Sequence, residues 1–449
     1  MQIFYKAVGS MISSEINKQA QGHLLTKLMR IPNTDWHEIS MIAKSDLNAL
    51  HDVQRVKILD NVLKTNISVC SSVGSGFISQ LNNIYASILL LYGSLGVMIN
   101  EQVTELGPIA IKMPKVCGLR SIKKDILKLV NTYIEGTTDL DYVKENMMLP
   151  FLGTILSDYR STIKIAREPY VLEVIATLVN KLYTFLIPLI PNIFDVTFEP
   201  TLDMITNDFT EYPDHRERFY YMLYAINCHC FPALLNLAPS QFKLFIDITI
   251  WGFKHTSHDI ADVGLNICKE LIKNMSSADP IIAGAFYQSY FLNILQEVLC
   301  VLTDSDHKNG FKGQTEVLAL LFNLVKNNTV KVPLYDTNSQ ATDINNVKFL
   351  EEYVMMLLSN AFPHLQIGQI IVFVHAMLEY NDSLPKFKLE VRDFLIQLNE
   401  FAGENTELYL EEKEAEMEEK RRQERKAALS IPGMVKPSEL PSVEEDKVV

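Results

Sequence analysis

Cys228-His229-Cys230 is the densest run of metal-ligating side chains in the sequence. Two thiols at i and i+2 of a helix point to different sides, and no second ligand pair follows at zinc-site spacing. Buried core thiols beside a packed histidine are therefore the favoured reading. His255 and His258, three apart, would share one helical face, but no carboxylate or third ligand joins them. Val73-Gly74-Ser75-Gly76-Phe77 begins like a dinucleotide loop; Ser79 follows where that motif needs glycine, and no strand precedes it, which leaves a plain loop. The zinc-protease, nucleophile-elbow and phosphate-loop patterns (HExxH, GxSxG, GxxxxGK[ST]) do not occur. Residues 420–426 (KRRQERK) resemble a basic localisation signal; acidic residues precede them at helical spacing, which favours a solvated amphipathic face. Phe219-Tyr220-Tyr221 and Phe286-Tyr287-Gln288-Ser289-Tyr290-Phe291 exceed the needs of one helical stripe. They would line peptide-binding grooves between helices or, the favoured reading, fill the core between repeats. No constellation supports catalysis, and the expectation is a non-enzyme with no metal and no cofactor.

The elements that would carry these residues are bounded by composition. The 449 residues include 41 Lys+Arg and 54 Asp+Glu, a formal charge of −13, with 48% apolar and 21% charged residues. That balance is too apolar for a disordered chain. Its acidity argues against a nucleic-acid binder, which needs a basic surface to displace counterions, while a basic protein partner remains compatible. Six cysteines (70, 117, 228, 230, 268, 300) in so long a chain do not make a disulfide framework, and a reducing compartment is expected. The first 17 residues do not read as a signal peptide. The two most apolar windows, Ile84–Ile99 and Val171–Ile190, are interrupted by Ser87, Gly93, Ser94 and Gly96 and by Glu173, Asn180, Lys181 and Pro188. Neither is expected to cross a bilayer, so the sequon Asn66-Ile67-Ser68 carries little weight.

Apolar residues recur three and four apart almost from end to end. Ile3, Phe4, Ala7, Val8, Met11 and Ile12 make one stripe, and Leu24, Leu25, Leu28 and Met29 the next. Ile122, Ile126, Leu127 and Val130 make another, as do Val391, Phe394, Leu395 and Leu398. This is helical periodicity. Proline at the first turn of a helix costs no hydrogen bond, and Pro32, Pro150, Pro191, Pro213, Pro239 and Pro363 are read as such starts. The spacings 150 to 191 and 191 to 239 fit the ~40–47-residue period of HEAT or armadillo repeats. The fold class is therefore all-α: a right-handed α-solenoid of HEAT-type antiparallel helix pairs, roughly nine over residues 1–404. Residues 326–348, polar and rich in Asn and Thr, are expected to form an exposed loop between repeats.

Beyond 404 the composition changes. Residues 411–426 hold seven Glu and six Lys/Arg, acidic first and basic last. That order suits a helix macrodipole, and Glu416–Lys420 and Glu418–Arg422 add i,i+4 pairs. A charged helix over 405–429 and a flexible acidic tail over 430–449 are expected.

Certain runs also carry a resemblance. Leu63-Lys64-Thr65-Asn66 is followed by Phe77, Gln80-Leu81 and Ile84-Tyr85. Glu211-Tyr212-Pro213-Asp214-His215-Arg216 and His229-Cys230-Phe231-Pro232-Ala233 come next. The most specific stretch runs from Gln241-Phe242-Lys243-Leu244 to Ile250-Trp251-Gly252-Phe253-Lys254-His255-Thr256. Ala361-Phe362-Pro363-His364-Leu365-Gln366 and Phe401-Ala402-Gly403-Glu404 extend it. Taken in order, these runs resemble the carboxy-terminal half of the exportins, the nuclear export receptors of the importin-β (karyopherin) family.

The resemblance implies a carrier shuttling between nucleus and cytoplasm through the nuclear pore. Ran-GTP and leucine-rich export-signal cargo would bind cooperatively, Phe-Gly nucleoporins would dock between helices, and neither nucleic acid nor membrane would be a direct partner. It places the export-signal groove and its reactive cysteine outside this segment, so none of the six cysteines inherits that role. Residues 405–429, with Glu411, Glu412, Glu414, Glu416 and Met417, match the crossing helix in placement. Glu444, Glu445 and Asp446 occupy the position of the autoregulatory tail. The resemblance also implies that Met1 lies within a continuous stack, leaving the stripe from Ile3 to Val8 partly uncovered. The competing reading is a HEAT scaffold for protein complexes that works without Ran.

Overall fold

A computed structural model describes residues 2–206, 210–336 and 345–402, together with 417, 418 and 420–422. Among the described residues every regular element is helical, as the periodicity predicts. The chain divides into two units, Met1–Ala278 and Asp279–Val449.

The first unit contains α1 (Gln2–Ser13), α2 (Lys18–Leu28), α3 (Arg30–Ser45), α4 (Val53–Val73), α5 (Ile78–Leu106), α6 (Pro114–Gly136) and the single turn α7 (Leu140–Tyr142). It continues with α8 (Met148–Ser161), α9 (Tyr170–Leu182), α10 (Ile190–Ile205), α11 (Pro213–His229), the short α12 (Phe231–Leu235), α13 (Pro239–Phe253) and α14 (His258–Ser276). Two rows emerge from the packing. α1, α4, α6, α9, α11 and α14 lie against one another in that order, and α5, α8 and α10 make a second row. Helices α3, α5, α10 and α13 of the second layer pack on α4, α6, α11 and α14 respectively. This is the helix-pair stacking expected of a solenoid: no pair encloses a core alone, and each buries its apolar stripe against its neighbours. Ile122, Ile126, Leu127 and Val130 of α6 are all fully buried. Each contributes about 1.5–3 kcal/mol relative to an exposed position.

The second unit contains α15 (Pro280–Leu302), α16 (Phe311–Lys326), α17 (Asn346–Ala361), α18 (Ile367–Tyr380) and α19 (Leu384–Ala402). α15 packs on α16, α17 on α18, and α19 on both α16 and α18. Val391, Phe394, Leu395 and Leu398 are buried as their spacing predicts.

Local signals behave as their chemistry requires, with exceptions. Pro213 and Pro239 open α11 and α13, Pro191 is the second residue of α10, and Pro32 and Pro150 are third in α3 and α8. Pro363 differs: it lies in the turn between α17 and α18, because α17 has already ended at Ala361. Asn17 caps α2, its Oδ1 accepting from Gln19 N and Ala20 N at 2.9 and 3.2 Å. The Val73–Phe77 loop is a 3-10 turn from α4 into α5; Gly74 has φ +62°, which favours glycine, and Phe77 is fully buried.

One expectation needs correcting. The connection after Lys326 is only partly exposed: Val330 and Leu334 are buried. Asn346 staples it, donating to Val330 O and Val332 O at 2.9 Å and accepting from Leu334 N at 3.0 Å. Helical stretches 53–106 and 170–205 are also long and apolar enough, by length and composition, to cross a membrane. Each stretch passes through a 3-10 turn, Gly74–Phe77 or Tyr183–Leu189, and packs its apolar faces on neighbouring helices.

Candidate functional site

A stacked-helix protein offers joints and grooves as its functional parts, and both are built here from side chains far apart in sequence. Asn33 of α3 and Gln80 of α5 exchange hydrogen bonds, Asn33 Nδ2 donating to Gln80 Oε1 at 3.0 Å and Gln80 Nε2 to Asn33 Oδ1 at 2.6 Å. Gln80 Nε2 also reaches Asn66 Oδ1 at 3.1 Å, so one amide chain ties α3, α4 and α5 together. Asn66 is completely buried, which closes the sequon to modification in the folded chain. Trp36 Nε1 donates to Ser87 Oγ at 3.0 Å, a second tie between α3 and α5.

Deeper in the first unit, Lys123 Nζ of α6 lies 2.8 and 2.7 Å from the two carboxylate oxygens of Asp158 on α8. Both side chains are buried, and the ammonium sits 4.7 Å from the centre of the Tyr92 ring on α5. Burial pulls the Lys123 pKa down, and the Asp158 carboxylate opposes that pull. Gly96 of α5 makes the room, since a Cβ there would overlap Asp158 Oδ1.

Helix ends form further joints. Lys164, Lys181 and Arg216 donate to Asp203 O, Glu135 O and Ile205 O at 2.6, 2.7 and 2.9 Å, and Lys326 to Glu379 O at 2.9 Å. These carbonyls lie in the last turns of α10, α6 and α18, where the macrodipole favours a cation.

The α4–α6 seam holds two carboxyl groups. Asp60 receives Lys64 Nζ at 2.5 Å and Ser121 Oγ at 2.9 Å, while Asp125 Oδ2 is 3.9 Å from Lys64 Nζ. Burial pushes Asp125 up to about 6, with the neighbouring Asp60 acting in the same direction. Against the upward push of burial on Asp60, hydrogen bonds from Lys64 and Ser121 bring its pKa down.

Between α3 and α5 the surface opens. One depression of about 600 Å³ is lined by Trp36, Asn33 and Ile84 among others. A smaller one of about 90 Å³ continues along the same two helices over Ala43, Leu47, Leu90 and Leu91.

The candidate residues read from the sequence fall as follows. Cys230 is buried with its Sγ 3.3 Å from Tyr183 O, and Cys228 is half-buried. Burial pushes the Cys230 thiol up to about 11 and that of Cys268 up to about 12, and raises Cys70 as well; such thiols are poor nucleophiles and ligands. His255 and His258 do not share a helical face. His255 is buried before α14 begins, its Nδ1 accepting from Ser257 N at 2.8 Å, and His258 is the exposed first residue of α14. Burial, with Arg216 nearby, holds His255 down at about 4. Among the described residues no three His, Cys, Asp or Glu side chains come together as a metal site. Phe219, Tyr220, Phe286, Tyr287 and Phe291 are core, while Tyr221 is exposed. Met417 is helical and half exposed. Glu411, Glu412, Glu414, Glu416, Glu444, Glu445 and Asp446 lie outside the described residues. On α1, Ile3, Phe4 and Met11 are exposed, and Ile12 is buried.

Sequence reasoning missed the Lys123–Asp158 and Asn33–Gln80 joints. Their partners are 35 and 47 residues apart, and neither leaves a local motif; Gly96, which makes room for the first pair, reads in the sequence like the other small interruptions of the 84–99 window.

Comparison with known proteins gives a consistent result. The family model described as CRM1 C terminal matches residues 80–403, from the start of α5 to the end of α19. Exportin-1 of Schizosaccharomyces pombe is 48% identical over 445 residues, which is 99% of this chain and 41% of that protein. Protein EXPORTIN 1B of Arabidopsis thaliana is 39% identical over 439 residues, 97% of this chain and 40% of that protein. Exportin-1 of Drosophila melanogaster is 38% identical over 446 residues, again 99% and 41%. The chain thus spans about two fifths of the length of these curated relatives.

Proposed function

The chain belongs to the CRM1 C-terminal family, and on that premise we propose that it does the work of the carboxy-terminal arch of a nuclear export receptor. The observation that carries the reading is 48% identity to an Exportin-1 along 99% of the chain. In this reading the chain acts by binding and flexing, with no reaction centre and no cofactor. Ran-GTP and a leucine-rich export-signal cargo are its partners in transport, the cargo groove lying outside this segment. Phe-Gly nucleoporins dock weakly in grooves between helices and hold the carrier in the pore by avidity. The protein then shuttles between nucleus and cytoplasm.

Residues 1–404 would be the helix-pair stack. Residues 405–429, including Glu411, Glu412, Glu414, Glu416 and Met417, would be the crossing helix, and the tail with Glu444, Glu445 and Asp446 would be autoregulatory. Mechanically, a stack whose helices are joined by side-chain ties can favour one curvature when a partner binds. Two partners that favour the same curvature bind cooperatively, with a coupling of typically about 1–3 kcal/mol.

The test is a pull-down of the chain against Ran loaded with a non-hydrolysable GTP analogue or with GDP. The transport reading expects retention of the GTP form over the GDP form. Equal retention of the two would favour the Ran-independent scaffold instead.

A further inference from the structure

Three irregular stretches of backbone follow one another in the first unit. A five-residue π turn, Val143–Met147, joins α7 to α8. A seven-residue 3-10 run, Tyr183–Leu189, joins α9 to α10. At Cys230, with φ −126° and ψ 28°, α11 breaks into α12. Pro150 follows the first, Pro188 lies in the second and Pro232 follows the third. The cause is the same each time: proline lacks an N–H, and in an unbroken α-helix its ring would collide with the carbonyl four residues back. Those carbonyls belong to Asn146, Thr184 and Cys228. A 3-10 run as long as the second is uncommon, and its hydrogen bonds are poorer than those of an α-helix.

The three stretches touch one another. Lys144 Nζ of the π turn lies 5.7 Å from the centre of the Phe185 ring in the 3-10 run. Cys230 Sγ donates to Tyr183 O at 3.3 Å, and the His229 ring meets the Tyr183 ring edge-on at 5.0 Å. Tyr85 Oη of α5 donates to Met147 O at 2.7 Å, and fully buried Leu186 pins the middle of the 3-10 run.

Tyr183 carries backbone strain. Its φ of +49° and ψ of −130° lie close to the first central position of a type II′ turn, where glycine dominates. A tyrosine persists there only while its surroundings over-determine it. Its ring and that of Phe185 are 52% and 46% exposed, so neither is locked in the core. From outside its own run, Cys230 and His229 hold Tyr183, and both belong to the α11–α12 break. Strain at one residue and restraint by a thiol hydrogen bond and an exposed ring pair are of the same order.

We propose that these three stretches form one yielding joint. They open together while the α-helices on either side stay folded, and the strain at Tyr183 keeps the joint close to opening. Regular helices are stiff, so opening here lets α8, α10 and α12 shift against α6, α9 and α11. The joint is where the flexing proposed for the chain begins, and the inference rests on that part of the reading alone.

Native-state hydrogen exchange of the full chain, followed by mass spectrometry without Ran or cargo, tests this. Amides of 143–147, 183–189 and 230–235 are expected to exchange at least about 10-fold faster than those at the centres of α6, α9 and α11. Lys144→Ala removes the contact with Phe185. Because the joint opens as a unit, exchange should rise by a common factor, roughly 3-fold, in all three stretches. Two variants at 183 separate backbone strain from the ring: Tyr183→Ala and Tyr183→Gly both delete the ring, but only glycine relieves the positive φ. Exchange in the joint should be at least about 3-fold slower with glycine than with alanine. Neither Lys144 nor Tyr183 has a buried side chain, so the helix content read by circular dichroism should be unchanged. Exchange in the joint as slow as at the helix centres would overturn the proposal. So would acceleration by Lys144→Ala confined to the π turn and Phe185, or equal exchange in the alanine and glycine variants. None of these results bears on Ran selectivity, so failure of the joint and failure of the transport reading are told apart.

Discussion

Gly96 and Gly93 sit one turn apart on α5 and have opposite surroundings. A Cβ at 93 meets nothing within 4 Å, whereas one at 96 overlaps Asp158 Oδ1 in the buried pair with Lys123. Gly93→Ala should therefore stabilise the chain by about 0.5–1 kcal/mol through helix propensity alone. Gly96→Ala should destabilise it by at least about 3 kcal/mol, because separating one partner from a buried ion pair leaves the other charge uncompensated. Urea midpoints of the two variants, measured side by side, check this; a Gly96→Ala variant as stable as Gly93→Ala would contradict the geometry. In the sequence both glycines read alike, as interruptions of an apolar window. What separates them is a carboxylate 62 residues away, which no local pattern announces.

At the scale of elements, the α4–α6 seam shows how a helix contact becomes pH-dependent. Asp125 is raised to about 6 in the folded chain, above the ordinary value of 3.8, so the folded state binds the extra proton. Its protonated form then adds stability that is complete below pH 3.8 and is lost as the pH rises through about 6. Asp60, shifted downward, has the opposite sign and acts only at the acid end, where stability falls with pH. Lys64 and Lys128 face the same pair and oppose the rise in Asp125. Asp125→Asn should thus raise the urea midpoint at pH 7.5 and leave it nearly unchanged at pH 4.5. The gain should be about 1 kcal/mol, since the half-exposed Lys64 screens the pair. An unaltered pH slope in the variant would count against this assignment. Helix starts and apolar stripes were legible here because they are local: Pro213, Pro239 and the Ile122–Val130 stripe needed only neighbours within one turn or two. Pro363 was misread because a proline that opens a helix and one in the turn before it look the same in sequence. The staple made by Asn346 was hidden because its partners are backbone groups 12 to 16 residues upstream.

For the whole molecule, the sequence carried the all-α class through its period, while the functional reading came through resemblance. No catalytic pattern in the sequence and no metal cluster among the described residues supplied a site to read, and a binding surface built from curvature and grooves has no compact motif. The grooves become visible only when α3 and α5, more than 30 residues apart, lie side by side. The central claim is that this chain acts as the carboxy-terminal arch of an export receptor. Its most direct test is replacement: the chain is substituted for the matching 41% of Schizosaccharomyces pombe Exportin-1, and a fluorescent reporter bearing a leucine-rich export signal is followed in cells depleted of the native protein. The account predicts that the chimera returns the reporter to the cytoplasm; a reporter left in the nucleus by a chimera that is stable and still binds Ran-GTP and nucleoporins would contradict it.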